Sequence, residues 1–504
     1  MLSRVISGTT IGLDGVIIEI EVDIAGRGFP TFTLVGLPNK AIDEAKDRVR
    51  TAIANAGFEM PDSRLTVNLA PADIPKQGSS FDLPIALGVL AAAEMIEKKN
   101  LKNSFFIGEL SLEGTIRPVS GVLPLALLAR EKKLTTIFVP VENSKEASAV
   151  EGISVIPVYN LQDLVLHLNE QSELKPIPPL DLDSIVEYSE TQVDFESIRG
   201  QETAKRALEI AASGFHNIHL KGVPGAGKTL LSRAFPSIMP KLDREEILEV
   251  SKIYSVVGML KNKGFITTRP FRSPHHTTSR IGLIGGGTHP TPGEISLAHR
   301  GVLFLDEFPE FPHTTLESLR QPIEDGQVSI SRAAGSITFP CRFLLIAASN
   351  PCPCGYLGHP TKRCKCTPQA VLKYRKRISG PILDRIDIHV DVPPVKEERL
   401  TSLEKAEKSS LIRARVQKAR EKQNKRFGKS YTNAEMSPSD IRTFCKLTDS
   451  ANALLKTAIA RLSLSARSYF KIIKISQTIA DLEELDQIEG KHVAEALQYR
   501  PKEE

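Results

Sequence analysis

Tryptophan is absent from this 504-residue sequence, only six cysteines occur, and aromatic residues make up 6% of the chain. Long apolar runs are missing too, since the longest apolar-rich stretch, residues 83–96, is shorter than the ~20 residues that a membrane-spanning helix needs. The first residues carry none of the apolar stretch that marks a secretory signal. The short apolar runs and the lack of a signal-like stretch argue against a membrane or secreted protein, so we expect a cytoplasmic one.

A strong excess of charge of one sign is lacking as well. The formal net charge is +5, which is too weak to identify a partner by itself, although local clusters can still do so. Apolar residues make up 41% and charged residues 25%, which is ordinary for a globular protein. A chain of this length exceeds one hydrophobic core, so we expect about two to four domains.

One glycine-rich stretch carries the strongest motif. Residues 222–229 read GVPGAGKT and fit the P-loop pattern G-x-x-x-x-G-K-S/T, between a strand candidate and a helix candidate. Backbone N–H groups would surround the phosphates of ATP, Lys228 would neutralise their charge, and the Thr229 hydroxyl would hold Mg²⁺. The residues predicted to bind the nucleotide are Gly222, Gly225, Gly227, Lys228 and Thr229.

Two further apolar strands end in polar side chains. Residues 301–305 lead into Asp306 and Glu307, and residues 343–349 lead into Asn350. Buried parallel strands read as continuous apolar runs, and open α/β sheets bind ligands at their carboxyl ends. The usual division of labour places Asp306 beside Mg²⁺ and makes Glu307 the general base for the attacking water. Asn350 would face the γ-phosphate and orient that water.

Asn350 also resembles sensor 1 of AAA+ ATPases. Residues 380–387, GPILDRID, resemble the arginine-finger segment of the branch that contains Mg-chelatase and MCM proteins, and residues 465–469 resemble sensor 2 of that branch. This resemblance implies catalytic roles for Arg385 and Arg467. Either arginine alone would more often be a surface ion-pair residue, but the order and neighbours of both favour catalysis.

Residues 1–170 read as one α/β domain that resembles the Lon-protease-like domain. Lon-type proteases activate a serine with a lysine. Here Ser80 stands at the matching serine position, but Leu125 takes the place of the lysine. We therefore expect this domain to be proteolytically inactive and to serve assembly or substrate guidance.

The predicted fold class is α/β, with four segments along the chain. Residues 1–170 form the Lon-like domain, and residues 171–192 form a proline-containing linker. A P-loop AAA+ domain follows over residues 193–395, and a helical lid over residues 396–504.

Two segments resemble the insertions that project into the pore of AAA+ rings in this branch. The first covers residues 269–280 and the glycine-rich run 282–293, in which Arg272, His275 and His276 are candidate DNA contacts. The second, residues 326–339, reads as two alternating strands joined by a short turn and predicts a hairpin. The alternative is that both are plain solvated loops.

Four of the six cysteines lie close together, at Cys352, Cys354, Cys364 and Cys366. A cytosolic location argues against disulfides, and four thiolates form a usual tetrahedral shell for structural Zn²⁺. The C-x-C spacing is tighter than the common C-x₂-C knuckle, so free thiols remain the alternative.

Residues 411–430 contain eight lysines and arginines against the single acid Glu421. The pattern predicts a helix whose basic face either contacts nucleic acid, through Lys425 and Arg426, or is merely solvated.

Taken together, these segments resemble the ComM/YifB family of Mg-chelatase-like AAA+ ATPases over nearly the whole chain. Its markers are the Lon-like domain without its lysine, residues 271–276 (FRSPHH) and residues 350–355 (NPCPCG). The resemblance implies a hexameric DNA motor that binds single-stranded and branched DNA and drives branch migration while incoming single-stranded DNA is integrated during natural transformation. Two alternatives are an ATPase subunit that serves Mg²⁺ insertion into a tetrapyrrole, and a non-catalytic ATP-binding regulator or scaffold.

Overall fold

The structure is a computed structural model of the 504-residue chain. It describes residues 1–25, 29–36, 44–76, 78–186, 188, 193–260, 264–288, 290–332, 335–395 and 406–501. The chain divides into two compact units. The N-terminal unit contains Met1–Ile185 and Arg244–Ile266, and the C-terminal unit contains Val186–Asp243 and Thr267–Glu504.

Strands and helices alternate along much of the chain, as expected for an α/β protein. The strands of the described residues are β1 (Leu2–Ile11), β2 (Asp14–Ala25), β3 (Thr31–Val35), β4 (Arg64–Ala70), β5 (Ser104–Phe106), β6 (Glu109–Leu110), β7 (Ile116–Arg117), β8 (Thr136–Pro140), β9 (Ser154–Val158), β10 (Ile218–Gly222), β11 (Phe271–Arg272), β12 (Gly285–Gly286), β13 (Thr291–Pro292), β14 (Val302–Leu305), β15 (Gln327–Arg332), β16 (Gly335–Pro340), β17 (Leu344–Ser349) and β18 (Ile388–Val392).

The α-helices of the same residues are α1 (Ala45–Asn55), α2 (Asp82–Ala92), α3 (Val122–Glu131), α4 (Ser144–Ser148), α5 (Leu161–Leu168), α6 (Glu202–Gly214), α7 (Lys228–Ala234), α8 (Arg244–Val256), α9 (Arg280–Ile284), α10 (Glu294–Leu297), α11 (His313–Glu317), α12 (Arg320–Asp325), α13 (Pro368–Arg375), α14 (Gly380–Leu383), α15 (Ser409–Phe427), α16 (Pro438–Phe444), α17 (Asp449–Leu462), α18 (Ala466–Leu482) and α19 (Gly490–Gln498). None of them is both long and apolar enough to cross a membrane.

A seven-stranded mixed sheet forms the centre of the N-terminal unit, in the order β3-β4-β2-β1-β5-β8-β9. Strands β1 and β2 pair antiparallel from Leu2↔Asp23 to Ile11↔Asp14, while β5, β8 and β9 run parallel. Helix α2 is apolar on all sides, so it is buried along its whole length. Leu125 is also buried, in α3, while Ser80 lies just before α2.

Helix α8 follows the P-loop helix in sequence but belongs to the N-terminal unit. The Ser255 backbone carbonyl accepts a hydrogen bond from the Gly121 N–H (3.0 Å), and the Ser255 hydroxyl donates to Glu146. Glu146 also accepts from the Leu123 N–H (2.9 Å) and from the side-chain amide of Asn143 (3.2 Å). Burial raises the pKa of this carboxyl, and the three donors oppose that rise. Residues 244–266 thus belong to the N-terminal compact unit, whereas the predicted boundaries placed them in the ATPase domain at residues 193–395.

Five parallel strands form the main sheet of the C-terminal unit, in the order β11-β14-β17-β10-β18. Every residue of β14 and β17 is buried, as their continuous apolar sequences predict. Buried residues of these strands share one hydrophobic core with helices α6, α15, α18 and α19. The helices of the predicted lid and the strands of the predicted ATPase domain therefore lie in the same compact unit.

The hydrogen-bond network around Glu146 gives a test of how α8 is held. We expect Ser255→Ala to lower the free energy of opening of α8 by about 1–3 kcal/mol, because a buried carboxylate loses one of its donors. Hydrogen exchange over residues 121–131 and 244–256 measures this. Ser172→Ala, at an exposed serine of the same unit, is the control, and equal exchange in the two variants would contradict the assignment.

Candidate functional site

The P-loop lies at the carboxyl end of β10, and helix α7 begins within it at Lys228. Gly225 and Gly227 have φ values of 78° and 93°, which lie in the left-handed region that favours glycine. A Cβ atom added at either position would meet nothing within 4 Å. Glycine is therefore favoured at these positions by the backbone conformation and not by lack of space. Successive N–H groups at a helix start form a binding site for phosphate.

Lys228 is buried beneath the loop. Its Nζ donates to the carbonyls of Gly222 (2.6 Å) and Val223 (3.0 Å) and to Oδ1 of Asn350 (3.1 Å). Burial lowers the pKa of Lys228, and the nearby Asp306 opposes that effect. Strands β10 and β17 are parallel neighbours, which is why Asn350 and Lys228 meet although 122 residues separate them.

The two carboxylates after β14 stand beside the P-loop. Oδ2 of Asp306 accepts a hydrogen bond from the Thr229 hydroxyl (2.8 Å), so the two residues predicted to hold Mg²⁺ are in contact. Glu307 donates its backbone N–H to Asp306 (2.9 Å), and its side chain is 56% exposed. Thr229, Asp306 and Glu307 thus lie at the same edge of the sheet as the P-loop.

An unforeseen contact involves His276. Its Nδ1 lies 3.1 Å from Oε2 of Glu307, and its ring lies 4.1 Å from that of His275. His275 is exposed, and its Nδ1 lies 2.9 Å from the Thr277 hydroxyl oxygen. A residue predicted as a DNA contact therefore touches the predicted general base.

The prediction for Arg272 requires a correction. This residue lies in β11, paired parallel to β14, and its guanidinium makes a bidentate ion pair with Glu294 at 2.6 and 2.7 Å. It therefore belongs to the central sheet and not to an insertion. The glycine-rich run 282–293 contains the short β12–β13 ladder, which lies between α9 and α10 in the chain.

The second predicted insertion is a hairpin, as expected. Strands β15 and β16 pair antiparallel from Gln327↔Pro340 to Arg332↔Gly335. Hydroxyl groups meet across the ladder at Ser329–Thr338 (2.9 Å) and Ser331–Ser336 (3.4 Å).

Arg385 and Arg467 come together, but away from the P-loop. Both guanidiniums bind Glu324, with Arg385 at 2.5 Å, and both line a cavity of about 650 Å³. Arg385 precedes β18, which pairs in parallel with β10 from Ile218↔Ile388 to Gly222↔Val392. The arginines therefore lie near the amino ends of the strands. Because a five-residue strand spans about 16 Å, neither arginine reaches the P-loop of its own chain.

Three of the four clustered sulfur atoms lie 3.5–3.7 Å apart, and all four lie within 4.8 Å of one another. Zn–S bonds of about 2.3 Å in a tetrahedron place sulfur atoms about 3.8 Å apart, so Cys352, Cys354, Cys364 and Cys366 fit such an ion. Backbone N–H groups of Tyr356 and Lys365 lower the pKa of Cys354.

The basic segment 411–430 forms most of helix α15, but four of its eight cations bind carboxylates. The prediction for Arg426 is corrected, because this side chain is 13% exposed and binds the buried Asp481 at 2.9 Å. Lys425 is exposed. Other cations of the helix also have acidic partners, namely Arg415 with Glu209 and Glu407, Lys418 with Glu484, and Lys422 with Asp486.

Sequence reasoning missed Glu324, Glu294 and the His276–Glu307 contact. Glu324 lies 61 residues from Arg385 and 143 residues from Arg467, and no local pattern connects such positions. For His276, the only signal was its place in an unusual segment shortly before the Asp306-Glu307 pair.

Comparison with known proteins places these features in a family. The family described as "Magnesium chelatase, subunit ChlI" matches residues 194–400, "Subunit ChlI of Mg-chelatase" matches residues 20–143, and "Magnesium chelatase, subunit ChlI C-terminal" matches residues 406–500. Lon protease 2 of Bacillus subtilis is 26% identical over 180 residues, or 32% of each chain. Together with the observed sheets and C-terminal helices, these matches confirm the predicted fold class.

Two relatives match nearly the whole chain. Competence protein ComM of Haemophilus influenzae is 44% identical over 501 residues, which cover 99% of this chain and 97% of that protein. The uncharacterized protein YifB of Escherichia coli is 42% identical over the same lengths. The chain therefore belongs to the ComM/YifB family of magnesium-chelatase-like AAA+ proteins.

Proposed function

We propose that this protein is a cytoplasmic, hexameric, ATP-driven DNA motor that promotes branch migration while incoming DNA is integrated in natural transformation. The observation that carries the proposal is the meeting of Lys228, Asp306, Glu307 and Asn350 at one edge of a parallel sheet, with His276 in contact with Glu307. The name "Competence protein" of the Haemophilus relative supports the biological role.

The residues at this edge fit ATP with Mg²⁺. Gly225 and Gly227 permit the turn that presents backbone N–H groups to phosphate, and Lys228 needs to move only from backbone carbonyls to phosphate oxygens. The Thr229 hydroxyl and the Asp306 carboxylate, already in contact, are the groups that would hold Mg²⁺. Mg²⁺ neutralises charge that develops on the phosphates.

Hydrolysis would then depend on Glu307 and Asn350. Glu307 accepts the proton of the attacking water, and Asn350 orients that water beside the γ-phosphate. While His276 binds Oε2 of Glu307, that oxygen is not free to accept a proton from water. A ligand that displaces residues 273–280 would release it, which supports a motor whose ATPase responds to DNA.

The position of the arginines supports assembly. Arg385 and Arg467 lie at the opposite edge of the sheet from the P-loop, which favours a role at the nucleotide of a neighbouring subunit. Each site would then be complete only between two chains, as in a closed ring. Such an arginine stabilises charge on the departing phosphoryl group.

DNA contacts are proposed at His275, at Lys425 and along the hydroxyl groups of the β15–β16 hairpin. A branch-migration motor must act on any sequence, and hydroxyl and ammonium groups bind the phosphate backbone without reading bases. The N-terminal unit is proposed to be proteolytically inert, since the Ser80 hydroxyl makes no hydrogen bond to any described residue and Leu125 is an apolar core residue.

A second candidate function follows from the family descriptions, which name magnesium chelatase. In that case, the same ATPase site would drive Mg²⁺ insertion into a tetrapyrrole held by a partner subunit. A third candidate, a non-catalytic scaffold, would bind ATP without turnover.

Structural Zn²⁺ is proposed at the four cysteines. The geometry of their sulfur atoms fits a tetrahedral site, and a closed shell of four thiolates leaves no position for substrate. The ion would hold the segment that follows Asn350, without taking part in hydrolysis.

The first test measures ATPase activity without DNA, with single-stranded DNA and with a forked junction. We expect both DNAs to stimulate turnover. Glu307→Gln should keep ATP binding but lower turnover by about 10²–10⁴-fold, because an amide cannot accept the proton. Glu310→Gln, three residues away at an exposed acid, is the matched control.

Each other outcome of this test points to a different function. A Glu307→Gln protein with normal turnover would remove Glu307 from its role as base. Stimulation by a chelatase-type partner but not by DNA would favour the tetrapyrrole reaction, and ATP binding without hydrolysis in all conditions would favour a scaffold.

The second test concerns the arginines. Mixing inactive Lys228→Ala with inactive Arg385→Ala protein should restore part of the activity, because some interfaces then pair an intact P-loop with an intact arginine. An arginine supplied in this way contributes about 10³–10⁵ in rate in well-studied systems. Mixing Lys228→Ala with Glu307→Gln should restore nothing, since both changes damage the same side of the interface. Equal results from the two mixtures, in subunits shown to exchange, would refute the role.

The third test concerns the cysteines. We expect about one Zn²⁺ per chain, the capacity of a single four-thiolate site. The metal should be lost in Cys364→Ser and retained in Cys445→Ser, a buried cysteine outside the cluster. Elemental analysis of the purified variants measures the metal, and a metal-free but fully folded wild-type protein would contradict the proposal.

A further inference from the structure

Residues 361–376 contain the last two clustered cysteines and helix α13, and we call this segment the basic loop. It contains no aspartate or glutamate. Its exposed cations are Lys362, Arg363, Lys365, Lys373 and Lys376.

The cations of the basic loop differ from those of helix α15 in their partners. Among the described residues, no ion pair is found for any of these five side chains, whereas Arg415, Lys418, Lys422 and Arg426 on α15 all bind carboxylates. The neighbouring Arg377, just beyond the loop, does bind Glu310 at 2.5 Å. These five side chains are therefore exposed to solvent without a carboxylate partner among the described residues.

Aromatic groups stand beside this charge. The Tyr356 and His359 rings pack edge to face with centroids 5.7 Å apart, and the Lys362 ammonium lies 5.1 Å from the centre of the Tyr356 ring. Leu372, on α13, is 56% exposed. Cations combined with aromatic rings are the groups by which proteins bind single-stranded nucleic acid, because phosphates meet the cations and bases stack on the rings.

We propose that the basic loop binds the phosphate backbone of single-stranded nucleic acid. The proposal rests on the DNA motor described above and adds a binding surface which the pore insertions and helix α15 do not include. Five exposed cations within fifteen residues, none with a carboxylate partner among the described residues, suit a polyanion of any sequence, since charge pairing does not depend on the bases.

The basic loop is also connected to the ATP site through short contacts. A Cβ atom on Gly355, which has φ of 83°, would lie 2.5 Å from Cγ of Pro224 in the P-loop, so the backbone and the P-loop approach closely there. The backbone N–H of Asn350 faces the Tyr374 hydroxyl oxygen on α13 and opposes the rise that burial causes in the pKa of that hydroxyl. Cys352, which touches Cys364, follows Asn350 by two residues. Nucleic acid bound to the basic loop could thus shift Asn350, which is proposed to face the γ-phosphate.

The test compares two triple variants with the same change in charge. Lys362→Gln/Arg363→Gln/Lys365→Gln alters the basic loop, and Lys446→Gln/Lys456→Gln/Arg461→Gln alters exposed cations elsewhere in the C-terminal unit. Fluorescence anisotropy with a 5′-labelled oligothymidine at several salt concentrations gives the affinity and its salt dependence, and ATPase assays with the same oligonucleotide give the stimulation.

The basic-loop variant should bind roughly tenfold or more weakly at physiological salt, and the slope of log affinity against log salt should be shallower by about 2–3. Its ratio of stimulated to unstimulated ATPase should fall, while the control variant should match the wild type. Zinc content and thermal unfolding are measured on both. If the thiol cluster is disturbed, Lys373→Gln/Lys376→Gln on helix α13 replaces the first variant, with an expected slope change of about 1–2.

Each outcome has one meaning. Equal affinity and slope in the basic-loop and control variants, with DNA-stimulated ATPase intact, would overturn this inference and leave the motor in place. Absence of oligonucleotide binding by the wild type would overturn both. Reduced affinity with an unchanged salt slope would also refute it, because lost phosphate contacts must lower the slope.

Discussion

The parallel direction of the five strands in the C-terminal unit is the constraint on which the candidate site depends. Because all five run the same way, Lys228, Asp306 and Asn350 emerge at one edge and meet within hydrogen-bonding distance. The same polarity leaves Arg385, which comes just before a strand, at the other edge. If one of these strands ran antiparallel, its terminal residues would lie at the opposite edge, and the P-loop residues and Arg385 would not be separated. The P-loop residues and Arg385 therefore lie at opposite edges of the same sheet.

Buried charge explains why a strongly basic helix need not be a binding surface. Asp481 is enclosed by the Arg426 guanidinium, the Asn433 amide (2.8 Å) and the Gln477 amide (3.1 Å). Removing one partner of such a pair leaves an uncompensated charge in the core, at a cost of about 3–5 kcal/mol. The Arg426–Asp481 ion pair thus links α15 to α18. The number of cations in a sequence segment does not show how many of them have acidic partners. The basic loop differs from α15 in the share of its cations that lack a carboxylate partner among the described residues.

The sequence could predict those parts of the fold that depend on residues close together in the chain. The P-loop, the apolar strands before Asp306 and Asn350, and the β15–β16 hairpin each follow from composition and period within about ten residues. The contacts of Arg272 with Glu294, of His276 with Glu307 and of Arg467 with Glu324 depend instead on chain topology. Such pairings join residues tens to more than a hundred positions apart, and nothing in their immediate neighbours specifies them.

Helix α8 makes the chain cross between the two compact units three times, near residues 185, 243 and 266. A truncated chain that starts after the linker would keep α8 while losing its partners, including Glu146 and the Gly121 N–H. The remaining C-terminal fragment would then expose Ile247, Val250 and Ile253, which are all buried in the complete chain. Deleting the N-terminal unit as a contiguous block would therefore yield an aggregation-prone fragment, and its loss of activity would reflect the exposed apolar surface of α8.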